Sequence, residues 1–182
     1  MINLETKIID KKILLKQLKN DLVSIKSLDE LKNLKNQYFG KEGAIRILLK
    51  DIKLLPEKEK KEVALSIQQL QKIVIHLFDE KEAGFGELQS TKELLKQEGV
   101  AFQKIILFGS YANGNAHIDS DIDVAVVLPF NISGFALEKI KDIIWWAKQI
   151  NVKLEPHILS SSDFENRFFS LSTEIKKSGV AF

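Results

Sequence analysis

The chain has 182 residues, 45% of them hydrophobic, with 27 basic against 25 acidic side chains and a formal net charge of +2. That is enough apolar content to bury the core of one ordinary domain or two small ones. No cysteine is present, which excludes a disulfide framework or a thiolate metal site; no apolar run reaches membrane-spanning length, the lysine-spotted N-terminus does not read as a signal peptide, and a cytoplasmic address is expected.

Leu15, Leu18, Leu22 and Ile25 recur at three- and four-residue spacing, the period of one helix face. Ser27-Leu28-Asp29-Glu30 is a capping-box pattern that opens a second helix carrying Leu28, Leu31, Leu34 and Tyr38. Ile45, Leu48, Leu49, Ile52 and Leu55 continue the apolar stripe. Pro56 stands where a first helical turn tolerates proline, and Glu57 and Glu59 suit the positive end of a helix. Val63, Ile67, Leu70, Val74 and Leu77 then form a heptad-like seam. These spacings predict an antiparallel helical hairpin that turns near Leu55-Pro56. Gly40 and Gly43 fall inside or between its helices, where an interior glycine costs about 1 kcal/mol against alanine, so their presence asks for a reason. His76, amid Ile73, Val74, Ile75 and Leu77, reads as a partly buried helix residue rather than a ligand.

The run Leu34-Lys35-Asn36-Gln37-Tyr38-Phe39-Gly40-Lys41-Glu42-Gly43, with Leu48 to Lys50 and Leu54 to Lys61 beyond it, resembles the N-terminal arm of bacterial phenylalanyl-tRNA synthetase alpha subunits. The resemblance spans roughly residues 1–82 and implies a helical coiled coil that contacts tRNA. Lys11, Lys12, Lys16, Lys19, Lys32, Lys35, Lys41 and Lys50 would then supply phosphate contacts, which give affinity without sequence preference. Leucine seams are usually core and lysine runs usually solvated, so a plain oligomerisation or spacer hairpin is the alternative. Nothing resembling the synthetase catalytic domain follows the arm, and aminoacylation is not expected.

Near Ala83-Gly84-Phe85-Gly86 the chain changes character: 16 Lys and 1 Arg face 13 acidic residues before it, and 10 basic face 12 acidic residues after it. Two modules are expected, residues 1–82 and 83–182. Ser90-Thr91-Lys92-Glu93 reads as a capping box that opens a helix through Leu94 and Leu95, with Gly99 as its stop. Ile105 to Phe108 is a short buried strand running into Gly109-Ser110, and Val124 to Leu128 is a second strand. Glycine lets backbone approach a ligand closely, and successive N–H groups in such a turn form an anion-binding concavity. Asp121 and Asp123, two apart, leave one face of the predicted strand. Convergent carboxylates attract hard divalent cations such as magnesium, commonly together with substrate phosphates.

Pro129 and Asn131 predict a loop, and Ala136 to Gln149 a helix whose Ile140, Ile143, Ile144 and Ala147 cover the sheet. Trp145 and Trp146 are adjacent and diverge, so one is expected in the core and the other on a surface. Val152 to Ile158 alternates apolar with polar and sets Lys153, Glu155 and His157 on one face; Pro156 lacks a ladder donor, so this strand ends there or lies at an edge. His157 is expected to support the carboxylates rather than ligate a hard-oxygen site. His117 reads as a surface loop residue, and Tyr111 and Arg167 as marginal candidates for base or triphosphate contact.

Taken in order, Phe108 to Gly114, Ser120-Asp121-Ile122-Asp123-Val124, Leu154-Glu155-Pro156-His157 and Ser162-Asp163-Phe164, followed by a last helix ending Lys177-Ser178-Gly179, resemble the minimal branch of the DNA polymerase beta-type nucleotidyltransferase superfamily. The resemblance covers roughly residues 87–182. It implies that Gly109 and Ser110, with Gly114 and Ser120 in the same run, hold a triphosphate, and that Asp121, Asp123 and Glu155 hold two magnesium ions and carry the catalysis, Glu155 also assisting deprotonation of the acceptor. The fold class expected is α+β: an N-terminal antiparallel helical hairpin or coiled coil, then a small mixed-sheet nucleotidyltransferase domain with flanking helices. The function expected is transfer of a nucleoside monophosphate, AMP from ATP before other nucleotides, to an RNA or protein acceptor. Expected partners are tRNA through the arm, a protein acceptor or a toxin in an antitoxin-like pairing, and a second copy through the hairpin, with no membrane. The alternative is a non-catalytic RNA- or partner-binding protein with a nucleotide-sensing domain.

Overall fold

A computed structural model describes residues 4–117, 119–129 and 137–181. They form two compact units, Met1–Asp79 and Glu80–Phe182.

In the first unit, α1 (Leu4–Ser24) buries Leu18 and Leu22, with Ile25 just beyond it, as its spacing requires. α2 (Leu28–Phe39) opens at the capping box: Ser27 Oγ accepts from Glu30 N at 3.2 Å. The return bond goes one residue further back than in the simplest form of the motif, from Lys26 N to Glu30 Oε2 at 2.7 Å. Leu31, Leu34 and Tyr38 are the buried face of α2. Gly40 and Gly43 lie between α2 and α3 (Ala44–Asp51), and the reason for them is crowding: a Cβ on Gly43 would stand 2.6 Å from the Tyr38 carbonyl oxygen.

One 3-10 turn, Ile52–Leu54, leads to Leu55-Pro56, whose proline carbonyl accepts from Glu59 N at 2.9 Å at the start of α4 (Glu57–Gln97). Val63, Ile67, Leu70, Val74 and Leu77 are all buried along α4. The pair Lys35–Asp79 at 3.6 Å and the edge contact of Tyr38 with Phe78, centroids 5.9 Å apart, set α2 against the far end of that seam. The hairpin therefore turns at Leu55-Pro56 and its limbs run antiparallel. Its first limb is broken into α2 and α3, and α1 adds a third helix tied in by Lys11 Nζ to Ser66 Oγ at 3.1 Å and Tyr38 OH to Asp21 at 3.2 Å. His76 is exposed, contrary to the partial burial expected.

α4 continues into the second unit and runs through Gly84, Gly86, Ser90 and Thr91 without a break. The capping box expected at Ser90 is thus corrected. Both hydroxyls bond back to the carbonyls of Gly86 and Glu87, at 3.0 and 2.8 Å, while Phe85, Leu88 and Leu95 keep the helix face buried. The stop at Gly99 stands: with φ +68 it ends the helix in a Schellman arrangement, Val100 N reaching Leu95 O at 2.8 Å and Gly99 N reaching Lys96 O at 3.2 Å.

Among the described residues, β1 (Lys104–Leu107), β2 (Ile122–Leu128), β3 (Leu154–Ser160) and β4 (Val180–Ala181) form one sheet in the order β3-β2-β1-β4. β1 pairs antiparallel with β2 and β4, and β2 pairs parallel with β3, which makes the sheet mixed. α5 (Gly109–Asn113) follows β1, and α6 (Leu137–Ile150) is the crossover a parallel pair needs. β3 is an edge strand, so Pro156 removes no ladder bond that the fold requires. α7 (Ser161–Glu165) and α8 (Ser170–Ser178) cover one face, where Ile106, Phe108, Ala125, Val127, Leu159, Phe164 and Ile175 make a core cluster.

On α6 the buried residues are Ile143 and Ala147; Ile144 is exposed, and of the tryptophan pair Trp145 is 61% exposed and Trp146 only half-buried, so neither is a core residue. The loop residue Asn131 and the start at Ala136 lie outside the described residues. No helix among the described residues is long and apolar enough to cross a membrane.

Candidate functional site

The site grows from the parallel register of β2 and β3. Asp123 lies opposite Glu155, and Ala125 opposite His157, two pairs further in. Side chains alternate along a strand, so residues 123, 155 and 157 share a face of the sheet. One ligand atom from each of Asp123, Glu155 and His157 lies within 4.8 Å of the other two. Glu155 is exposed at the mouth of this cluster, while Asp123 and His157 are half-buried.

His157 Nε2 stands 3.2 Å from Asp123 Oδ1, and its ring meets the Phe108 ring edge-on with centroids 5.0 Å apart. The hydrogen bond to Asp123 holds the imidazole above its ordinary range, helped by the charges of Asp123, Glu155 and Glu174 and opposed by burial. Glu174, on α8, is a neighbour that no motif in the sequence marks.

Gly109 ends the β1 side of the site. It has φ +66, and a Cβ there would land on Asp123 Oδ2. Phe108 N bonds the Asp123 carbonyl at 3.0 Å, which carries the β1–β2 pairing up to the turn. Ser110 follows in the first turn of α5, half-buried. Gly114 and Ser120 are placed differently. Gly114, with φ +65, is the left-handed cap of α5, its N–H returning to Ser110 O. Ser120 is buried and fastens the following turn, its Oγ accepting from His117 N at 2.9 Å. Gly114 and Ser120 thus belong to the connection from α5 to β2.

Asp121 precedes β2, is exposed, and is not in the mutual cluster of Asp123, Glu155 and His157. Its charge reaches Tyr111, whose phenol is pushed up by burial first and then by Glu80, Glu87 and Asp121. Tyr111 is 7% exposed and packs against Gly84, so it lines the core side of α5. His117 is exposed in the loop, and Arg167 is exposed with its guanidinium 4.9 Å over the Phe168 ring.

The sequence reading missed Lys81. It is fully buried on α4, donates from Nζ to the Ala112 carbonyl of α5 and lies 5.4 Å from the Phe85 ring centre. A lysine four residues after Leu77 and four before Phe85, on the apolar face, was the available signal. Two carboxylates in mutual reach beside a glycine turn, one of them bonded to an imidazole, can hold a divalent cation, and the oxygen donors fit the magnesium class.

The nucleotidyltransferase domain family matches residues 88–181, and the class II aminoacyl-tRNA synthetase N-terminal domain matches residues 26–94. The phenylalanine–tRNA ligase alpha subunit of Aquifex aeolicus (strain VF5) is 37% identical over 87 residues, 48% of this chain and 25% of that protein. The corresponding subunit of Petrotoga mobilis is 36% identical over 74 residues, 40% of this chain and 22% of that protein. The chain thus spans about a quarter of the length of these curated relatives, and the similarity lies with the helical arm.

Proposed function

The chain belongs to the nucleotidyltransferase domain family, and on that premise we propose that it transfers a nucleoside monophosphate, AMP from ATP, to a hydroxyl of an RNA or protein acceptor. The observation that carries this reading is the pairing of Asp123 with Glu155 across β2 and β3, beside a glycine turn that leaves no room for a side chain. Asp123 and Glu155 would hold divalent magnesium, with Asp121, which stands outside their cluster, as a third carboxylate from the same strand end; the ion when bound would supply electrostatic stabilisation to the attacking and leaving oxygens of an in-line displacement.

The chain's own groups do the rest. The Gly109-Ser110 turn offers backbone and hydroxyl donors to the triphosphate. Glu155, exposed at the mouth, accepts the proton of the acceptor hydroxyl as its oxygen bonds to the α-phosphorus and the bond to pyrophosphate breaks. The arm is the candidate grip for tRNA, which makes tRNA or a tRNA-associated protein the first acceptor to try.

The test is transfer of α-phosphate label from each nucleoside triphosphate, with magnesium, to total tRNA and to cell protein. Asp123→Asn should lower transfer by about a hundredfold or more, a scale common for removal of one transition-state contact, and Asp121→Asn is run beside it. Label on a band that vanishes in Asp123→Asn identifies nucleotide and acceptor class together. Absence of mutant-sensitive label in a folded chain that still binds nucleotide overturns the transferase reading in favour of a nucleotide sensor.

A further inference from the structure

We infer that His157 is a positioning residue: its ring nitrogen holds one oxygen of Asp123 so that the carboxylate is already oriented when a divalent cation arrives. The inference rests on the metal reading of the site and deepens it. Four observations carry it. Nε2 lies 3.2 Å from Oδ1 of Asp123, at hydrogen-bond distance. The register sets His157 opposite Ala125, two pairs inward of Asp123–Glu155 on the same face, so the imidazole approaches Asp123 from the core side while Glu155 stands exposed. The ring is seated against Phe108, a member of the core cluster, which fixes it. The other oxygen, Oδ2, lies against Gly109, on the side of the glycine turn. A carboxylate held at one oxygen loses less rotational freedom on binding a cation, and partners of this kind commonly account for 10–100-fold in metal affinity.

The experiment measures Mn2+ and Zn2+ binding to the full chain by titration calorimetry after chelator treatment, with Mg2+ as competitor. His157→Phe keeps a ring against Phe108 and removes the nitrogen; His157→Gln keeps a donor of similar reach. His157→Phe should weaken all three cations by the same factor, roughly 10–100-fold, and His157→Gln should recover most of it, with His157→Leu replacing the Phe variant if that one fails to fold. Unchanged affinity without the nitrogen overturns the inference. So does a loss confined to Zn2+, because imidazole suits zinc better than magnesium or manganese and a selective loss would make His157 a ligand in its own right. A natural chain that binds none of the three cations, either alone or with a non-hydrolysable nucleoside triphosphate present, overturns the metal reading itself, and this result is distinguishable because it precedes any variant.

Discussion

A methyl group on Gly109 would meet the carboxylate of Asp123 in a backbone conformation, φ +66, that side chains rarely adopt. For an L-residue that conformation costs about 1–2 kcal/mol, and the displaced atom is the far end of a side chain that can swing. Gly109→Ala is therefore expected to fold, to melt a few degrees lower, and to lose metal affinity and transfer out of proportion to that loss. Calorimetric melting beside Mn2+ titration checks it; unchanged metal binding in the variant would mean that Asp123 is not held against the turn. At this scale much of the site was legible. A glycine after a buried strand and carboxylates at Asp121, Asp123 and Glu155 are visible in one dimension. That His157 supports the carboxylates was readable from the strand face it shares with Glu155, but that its partner is Asp123 was not, since this depends on which residue of β3 faces which residue of β2.

α4 shows how far local signals mislead at the scale of elements. Ser90-Thr91-Lys92-Glu93 has the residues of a cap and Gly84 and Gly86 those of a break, yet the helix passes through all of them. Tertiary packing overrides propensity here: Phe85, Leu88 and Leu95 are buried, and Gly84 lets the helix approach Leu107 and Tyr111. A Cβ on Gly84 would stand 2.9 Å from Leu107 Cδ2, whereas nothing lies within 4 Å of one on Gly86. Gly84→Val should then destabilise by about 1–3 kcal/mol through overpacking, while Gly86→Ala should stabilise by up to about 1 kcal/mol through helix propensity. Denaturant melts of the two variants settle the contrast, and equal effects would contradict the packing assigned to Gly84. The signals that held, the Ser27 cap, the Gly99 stop and the edge position of β3, are those whose hydrogen bonds close within a few residues or are not needed at all.

For the molecule as a whole, what the arm can hold depends on which of its lysines face solvent. Among the eight lysines named for phosphate contact, Lys11 bonds Ser66, and Lys32, Lys35 and Lys50 pair with Asp29, Asp79 and Glu42. Lys12, Lys16 and Lys41 are exposed and make the better candidates. Three phosphate contacts predict a modest salt dependence, a slope of log affinity against log salt of about −2 to −3. Filter binding of tRNA to the full chain between low and physiological salt should give that slope, and Lys12→Ala with Lys16→Ala should reduce it by roughly one per residue if each neutralises one phosphate. No retention at low salt would leave the arm without an RNA role.

The sequence by itself determined the helical period of the arm, its turn at Leu55-Pro56 and the strands around Gly109, because each depends on neighbours within a few residues. Only the tertiary structure decided that Asp123, Glu155 and His157 converge while Asp121 stands outside that cluster, that Lys81 is buried beneath α5, and that one helix runs from Glu57 to Gln97. Those outcomes depend on the register of a parallel strand pair and on burial against distant segments, and such interactions leave no local pattern to read.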